Sequence, residues 1–199
     1  MKNSILKQSV FILAALVAVS SLFTSCKKDN EADDPNIVYT SFDKTLSVSA
    51  GVSKQDSLDI NLDTYKEFLI YAGFTGTGDT AASYLIGNTY AGVYIDSTQK
   101  YGSTYLIKPV EKGQVPDAIV TTVKKWSGYS YVALKESAAI SGFAGAGDIY
   151  VPVAFRNPIT SRFHYGWIRL NLSSDFSTYK AIDCGYNLVP DVPIAMGAK

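Results

Sequence analysis

Beyond residue 36, one short stretch after another has strand character, and where hydrophobic and polar positions alternate with a period of two the spacing is that of a strand with one buried face. Leu58, Ile60 and Leu62 alternate with Asp59, Asn61 and Asp63, which predicts a half-buried strand carrying its acids on the solvent side. Runs of β-type residues at 37–42 and 45–50 flank Asp43-Lys44. Further runs follow at 68–74, 84–86, 90–95, 105–110, 119–123, 129–134, 149–155, 163–172 and 179–184, each bounded by Gly, Pro, Asn, Asp or Ser. Short strands separated by turn signals predict an all-β domain over residues 37–199. The expected architecture is an antiparallel β-sandwich, jelly-roll-like, of about 10–12 strands. Helical spacing is weak, with single turns expected at 81–85 and 135–141. No internal repeat or second domain boundary is visible.

The N-terminal pattern is different. Lys2 and Lys7 introduce an unbroken apolar run at 10–19 (VFILAALVAV), followed by Ser20, Ser21, Thr24, Ser25 and Cys26. A run this short does not make a spanning helix and has the order of a cleaved export signal. With Leu22 and Phe23 ahead of Cys26, the end of this segment resembles the lipobox of bacterial lipoproteins, in which signal peptidase II cuts before a Cys that is then diacylated. The resemblance implies a signal peptide at 1–25, lipidation of Cys26, and a membrane partner held through that lipid. Residues 26–36 would then be the lipidated Cys and a tether: 27–36 (KKDNEADDPN) is charged and ends in Pro-Asn, a flexible composition. Lys27, Asp29, Glu31, Asp33 and Asp34 also resemble the charged segment that follows the lipidated Cys in surface lipoproteins of Bacteroidota. That resemblance implies an outer-membrane protein displayed on the cell surface, with the periplasmic face as the alternative.

Charge and cysteine content narrow the picture. The 199 residues carry 18 basic and 18 acidic side chains, and loss of Lys2 and Lys7 with the signal leaves 16 basic against 18 acidic. A near-neutral chain has no electrostatic footprint for nucleic acid. With Cys26 lipidated, Cys184 is the one remaining cysteine, so no intramolecular disulfide is available. Its surroundings, Ala-Ile-Asp-Cys-Gly-Tyr, lack the basic or histidine neighbours of a reactive thiol, and it reads as a small buried hydrophobe.

The most distinctive stretch is 163–171, FHYGWIRLN. Extended, it places Phe163, Tyr165, Trp167 and Arg169 on one face and His164, Gly166, Ile168 and Leu170 on the other, with Gly166 allowing close approach of a neighbour. Asp183, Tyr186, Pro193, Ile194 and Gly197 follow. The ending resembles a C-terminal region of many uncharacterised exported bacterial β-sandwich proteins: Tyr165, Gly166, Trp167, Ile168, Arg169 and Leu170 match its aromatic-Gly-Trp-hydrophobic-Arg-Leu strand, and the later residues match its Asp, Tyr and Pro-Ile-x-x-Gly. Cys184, Gly185 and Asn187 depart from that pattern. The resemblance implies an exported β-sandwich-like domain and no particular activity.

Candidate chemistry is sparse, and no catalytic constellation stands out. Asp59, Asn61 and Asp63 have the spacing of the first half of a calcium loop, but an EF-hand would need Gly at 64 and Glu at 70, where Thr64 and Ile70 stand. No cofactor is expected. His164 is the only His; a base-activated nucleophile would have to use it, with Cys184 as the conceivable partner. A glycosidase would need two facing carboxylates, and no spacing singles out a pair. The run from Gly73 to Asp79 is Gly-rich without a following Lys, and reads as a strand connection. Tyrosines are abundant, 14 in all, and Trp126, Tyr129 and Tyr131 form the best candidate for an exposed aromatic patch that meets a glycan or protein ligand. Ser57, Thr80 and Ser97 each follow an Asp in a short pattern that resembles the O-glycosylation acceptor of Bacteroides-type bacteria. Together these features suggest a lipid-anchored, non-enzymatic binding or adhesive module; a glycan hydrolase and an envelope scaffold subunit are the alternatives.

Overall fold

Alternating side chains build almost every element of the domain. The computed structural model describes residues 34–74, 79–116, 126–157 and 159–199. Cys26, most of the tether, part of the Gly-rich connection and the strand expected at 119–123 lie outside these residues. Twelve strands run in chain order: β1 (Ile37–Ser47), β2 (Ser53–Leu58), β3 (Phe68–Phe74), β4 (Thr80–Gly87), β5 (Ala91–Tyr101), β6 (Thr104–Ile107), β7 (Trp126–Ser127), β8 (Tyr129–Glu136), β9 (Ala139–Gly142), β10 (Asp148–Arg156), β11 (Phe163–Leu172) and β12 (Thr178–Asn187). No helix forms among the described residues.

The all-β expectation holds. The expected two-layer jelly roll is not confirmed, because the strand pairings trace one continuous path: β1-β12-β11-β10-β5-β6-β8-β4-β3-β2, with β7 added on β5 and β9 on β8. All pairs are antiparallel except β6 with β8. The long β5 joins the two halves, pairing with β10 through Ala91–Val93 and with β6 from Ile95 onward. The terminal strands of the path approach each other, where Lys44 Nζ on β1 lies 2.7 Å from Asp56 Oδ1 on β2. The sheet is therefore nearly barrel-shaped. Strands from both halves fill one interior with Leu46, Leu58, Phe68, Ile70, Leu85, Val132, Val153, Ile168 and Leu170, among others. Each large apolar side chain so buried contributes about 1.5–3 kcal/mol.

Three local expectations are corrected. The segment 81–85 is strand, not a helical turn: Ala81, Ser83 and Leu85 point inward while Ala82, Tyr84 and Ile86 alternate with them. The segment 135–141 turns between β8 and β9, with Ser137 in the left-handed region at φ 54°. The alternating stretch after Leu58 does not continue as a strand. Ile60 is buried, but Leu62 is 65% exposed with φ 60°.

A second, smaller core sits on the outer side of β11. Trp167, 1% exposed, packs with Ile194 and Met196 of the C-terminal segment, and Ile37, Val110 and Tyr150 surround them. Paired backbone bonds between Gly113, Gln114 and Met196 fasten that segment down.

Candidate functional site

Tyrosine rings from three adjacent strands gather on the outer face of the sheet. The β3–β4 register sets Tyr71 opposite Tyr84, and the β4–β8 register, shifted between Ser83 and Tyr84, sets Tyr131 opposite Tyr84 and Tyr129 opposite Ile86. The Tyr84 ring centroid is 5.6 Å from Tyr71, 4.6 Å from Tyr129 and 4.5 Å from Tyr131. Burial, together with the hydroxyls of Tyr131 and Tyr129, pushes the Tyr84 phenol well above its usual range. The outermost ring, Tyr129, is 43% exposed. An open cleft of about 310 Å³ borders this cluster, lined by Tyr71, Gly73, Phe74, Tyr84, Ile86 and Tyr129 together with Thr80, Ala81 and Ala82. The described lining contains no carboxylate and no histidine.

Of the expected aromatic patch, the structure joins Tyr129 and Tyr131 and separates Trp126 from them. Trp126 pairs with β5, its ring 5.6 Å from Tyr94 and 6.1 Å from Tyr165. The chain changes neighbours between Ser127 and Tyr129, so residues adjacent in sequence serve different parts of the sheet. Tyr84 and Tyr71 were the missing members. Their sole signal was a shared outward parity on neighbouring strands, which is readable only once the register is known.

A second constellation forms in the loop joining β2 to β3. Asp59, Asp63 and Glu67 bring their carboxylate oxygens within 4.8 Å of one another. The loop winds because its side chains capture backbone donors: Asp63 N–H donates to Asn61 Oδ1, Tyr65 N–H to Asp63 Oδ1, and Thr64 N–H to Asp59 Oδ2. Such local bonds compete with a strand ladder, which is why the acids do not lie along a strand as the alternation suggested. Thr64 takes φ 78° where a calcium loop places Gly. Glu67 is 5% exposed, and its Oε2 accepts the Ile60 N–H at 2.9 Å. Burial and the nearby Asp63 and Asp59 raise its carboxyl to about 7. The EF-hand pattern places its acid at position 70, where Ile70 stands. Glu67 occupies the ninth place counted from Asp59, itself a ligand position in such loops.

The remaining candidates are dispersed. His164 faces the interior, stacked on Phe155, with its Nδ1 2.9 Å from the Asn187 carbonyl; the carbonyl can only accept, so Nδ1 carries the proton. Cys184 pairs across from Ile168, four residues along β11 from His164 and so roughly 13 Å away. The two do not form a nucleophile–base pair. Burial and the adjacent Asp183 push the Cys184 thiol well up, as expected of a packing residue. Ser97 is exposed on β5, while Ser57 and Thr80 are half-buried.

The C-terminal signature proves to be a packing unit. Gly185 leaves room for Trp167, whose ring atoms would lie 2.9 Å from a Cβ at that position. Beside it, Arg169 Nε donates to Asp183 Oδ1 at 2.9 Å and Nη2 to Oδ2 at 2.5 Å, and Tyr39 Oη donates to the same Oδ2 at 2.8 Å. Asp183 is 2% exposed, so this bidentate pair satisfies a charge that burial would otherwise penalise heavily. Comparison with models of known protein families, with curated proteins and with solved structures finds no match to this chain.

Proposed function

We propose that this chain is a lipid-anchored outer-membrane protein, held through Cys26 and displayed at the cell surface, whose β domain is a non-enzymatic binding module. The ligand surface is the outer face formed by Tyr71, Tyr84, Tyr129 and Tyr131, and the ligand class is glycan. One observation carries this reading: three tyrosine rings have centroids 4.5–5.6 Å from that of Tyr84, and Tyr71, Tyr84 and Tyr129 line an open cleft on a three-strand scaffold. Tyrosines on strands lose little conformational entropy on binding, and each offers an apolar ring for a sugar face and a hydroxyl for its polar edge. The described lining of the cleft lacks a carboxylate, which favours binding over glycoside hydrolysis, where two acids must flank the bond.

A glycan array probed with the full chain tests this. A defined set of oligosaccharides should bind, and Tyr84→Ala and Tyr129→Ala should each weaken binding by about tenfold or more, equivalent to about 1.4 kcal/mol, with little change in thermal stability for the exposed Tyr129. Absence of glycan binding, or binding that survives both substitutions, would reject the assignment of this face.

A further inference from the structure

We propose that the β2–β3 loop is a calcium site, with Asp59, Asp63 and Glu67 supplying the carboxylate oxygens. This site is separate from the tyrosine face and does not depend on it. The three carboxylates converge within 4.8 Å. Ligands at about 2.3–2.6 Å on opposite sides of a calcium ion lie roughly 4.6–5.2 Å apart, so one ion reaches all three; magnesium, at about 2.0–2.1 Å, spans less.

Two further features point to a bound cation. Asp59 Oδ1 is enclosed and has no hydrogen-bond partner. Glu67, in the same cluster, is 5% exposed; its Oε2 accepts the Ile60 N–H at 2.9 Å, and no basic side chain among the described residues pairs with it. A buried carboxylate oxygen without a donor or a cation is costly, and so is a buried carboxyl once it is ionised. Lys66 pairs with Asp59 through Oδ2, its Nζ 3.0 Å away on a side chain that is 49% exposed, and this leaves Oδ1 without a partner. The donors are all oxygen, with neither Cys nor His in the cluster, which selects a hard cation over zinc or copper.

Binding here would brace more than the loop. The backbone carbonyls of Lys66 and Glu67 accept from Asn88 Nδ2 at 3.0 Å and Asn88 N–H at 2.8 Å, so the loop is tied to the β4–β5 turn. A cation held by Asp59, Asp63 and Glu67 therefore stiffens one end of the β2-β3-β4 sheet.

The test uses the full chain stripped with a chelator and titrated with Ca²⁺ by calorimetry, and with Tb³⁺ by luminescence sensitised through tyrosine. Tyr65, 75% exposed in the loop, is the nearest antenna by sequence. The expected result is one saturable ion per chain at millimolar Ca²⁺ or below, with a rise in melting temperature that follows Ca²⁺ concentration. Asp63→Asn and Glu67→Gln should each weaken uptake by tenfold or more. Asp63 is exposed, so its variant decides the matter even where the Glu67 variant fails to fold. Tyr129→Ala should take up Ca²⁺ as the parent does, which keeps this result apart from the glycan test. No saturable uptake, or uptake unchanged in Asp63→Asn, would overturn the proposal.

Discussion

At the scale of single residues, small geometric facts set large energies. Gly185 is required because the Trp167 indole occupies the space a Cβ would take. Gly185→Ala should cost about 1–3 kcal/mol by overpacking, and Trp167→Ala about 3–5 kcal/mol by leaving a cavity. In the double variant the added methyl enters the vacated space, so the two losses should sum to less than their separate values; chemical denaturation of all three variants measures this. Asp175 shows a second kind of residue effect. In the turn between β11 and β12 its Oδ1 accepts from Ser173 Oγ at 2.6 Å, Ser177 N–H at 3.0 Å and Ser177 Oγ at 2.8 Å. The Ser173 hydroxyl first, then the Ser177 donors, lower its carboxyl from 3.8 to about 2. A depressed acid stabilises the fold above its unfolded value and loses that contribution as pH falls through its folded value. Asp175→Asn should therefore be less stable than the parent near neutrality, and the gap should close between pH 3.8 and about 2. Melting curves across that range give the answer.

At the scale of elements, alternation marked strands reliably and register poorly. The stretches at 68–74, 163–172 and 129–134 reappear as β3, β11 and the body of β8, where Phe68, Ile70 and Ala72, Ile168, Leu170 and Leu172, and Ser130, Val132 and Leu134 are buried at every second position. The predicted faces of β11 are also correct: Ile168 and Leu170 line the main core while Trp167 meets the smaller one. Residues 58–63 show the same alternation but form no strand beyond Leu58, since their Asp and Asn side chains hold the backbone donors a partner strand would need. The hairpin of β8 and β9 has no sequence signature, because Ala139–Gly142 is an exposed edge with little apolar pattern. Within the candidate site, Tyr129 and Tyr131 were legible as near neighbours on one strand. Tyr71 and Tyr84 were not, since they join through cross-strand pairing, and a one-residue slip would turn them inward.

At the scale of the whole molecule, the address and the architecture are distinct questions. The proposed export and lipidation rest on the pattern of residues 1–26; on that proposal Cys26→Ala should move the protein from the membrane fraction to the soluble fraction, and persistence in membranes would reject the lipid anchor. The domain itself has no disulfide to lean on: Cys184 is buried and unpaired. Its stability comes from a shared interior, a satellite core over Trp167 and one well-satisfied buried ion pair at Arg169 and Asp183. The sequence by itself determined the all-β class, the positions of most strands, the buried role of Cys184 and the spacing of Asp59, Asn61 and Asp63, because these follow from local periodicity and side-chain chemistry. Tertiary structure alone decided that the strands curl as one continuous sheet, that Trp126 parts from Tyr129, that Tyr84 sits among three other tyrosines and that Glu67 joins Asp59 and Asp63. Each of these depends on strand order, register or loop winding, which are set by contacts between residues far apart in the chain.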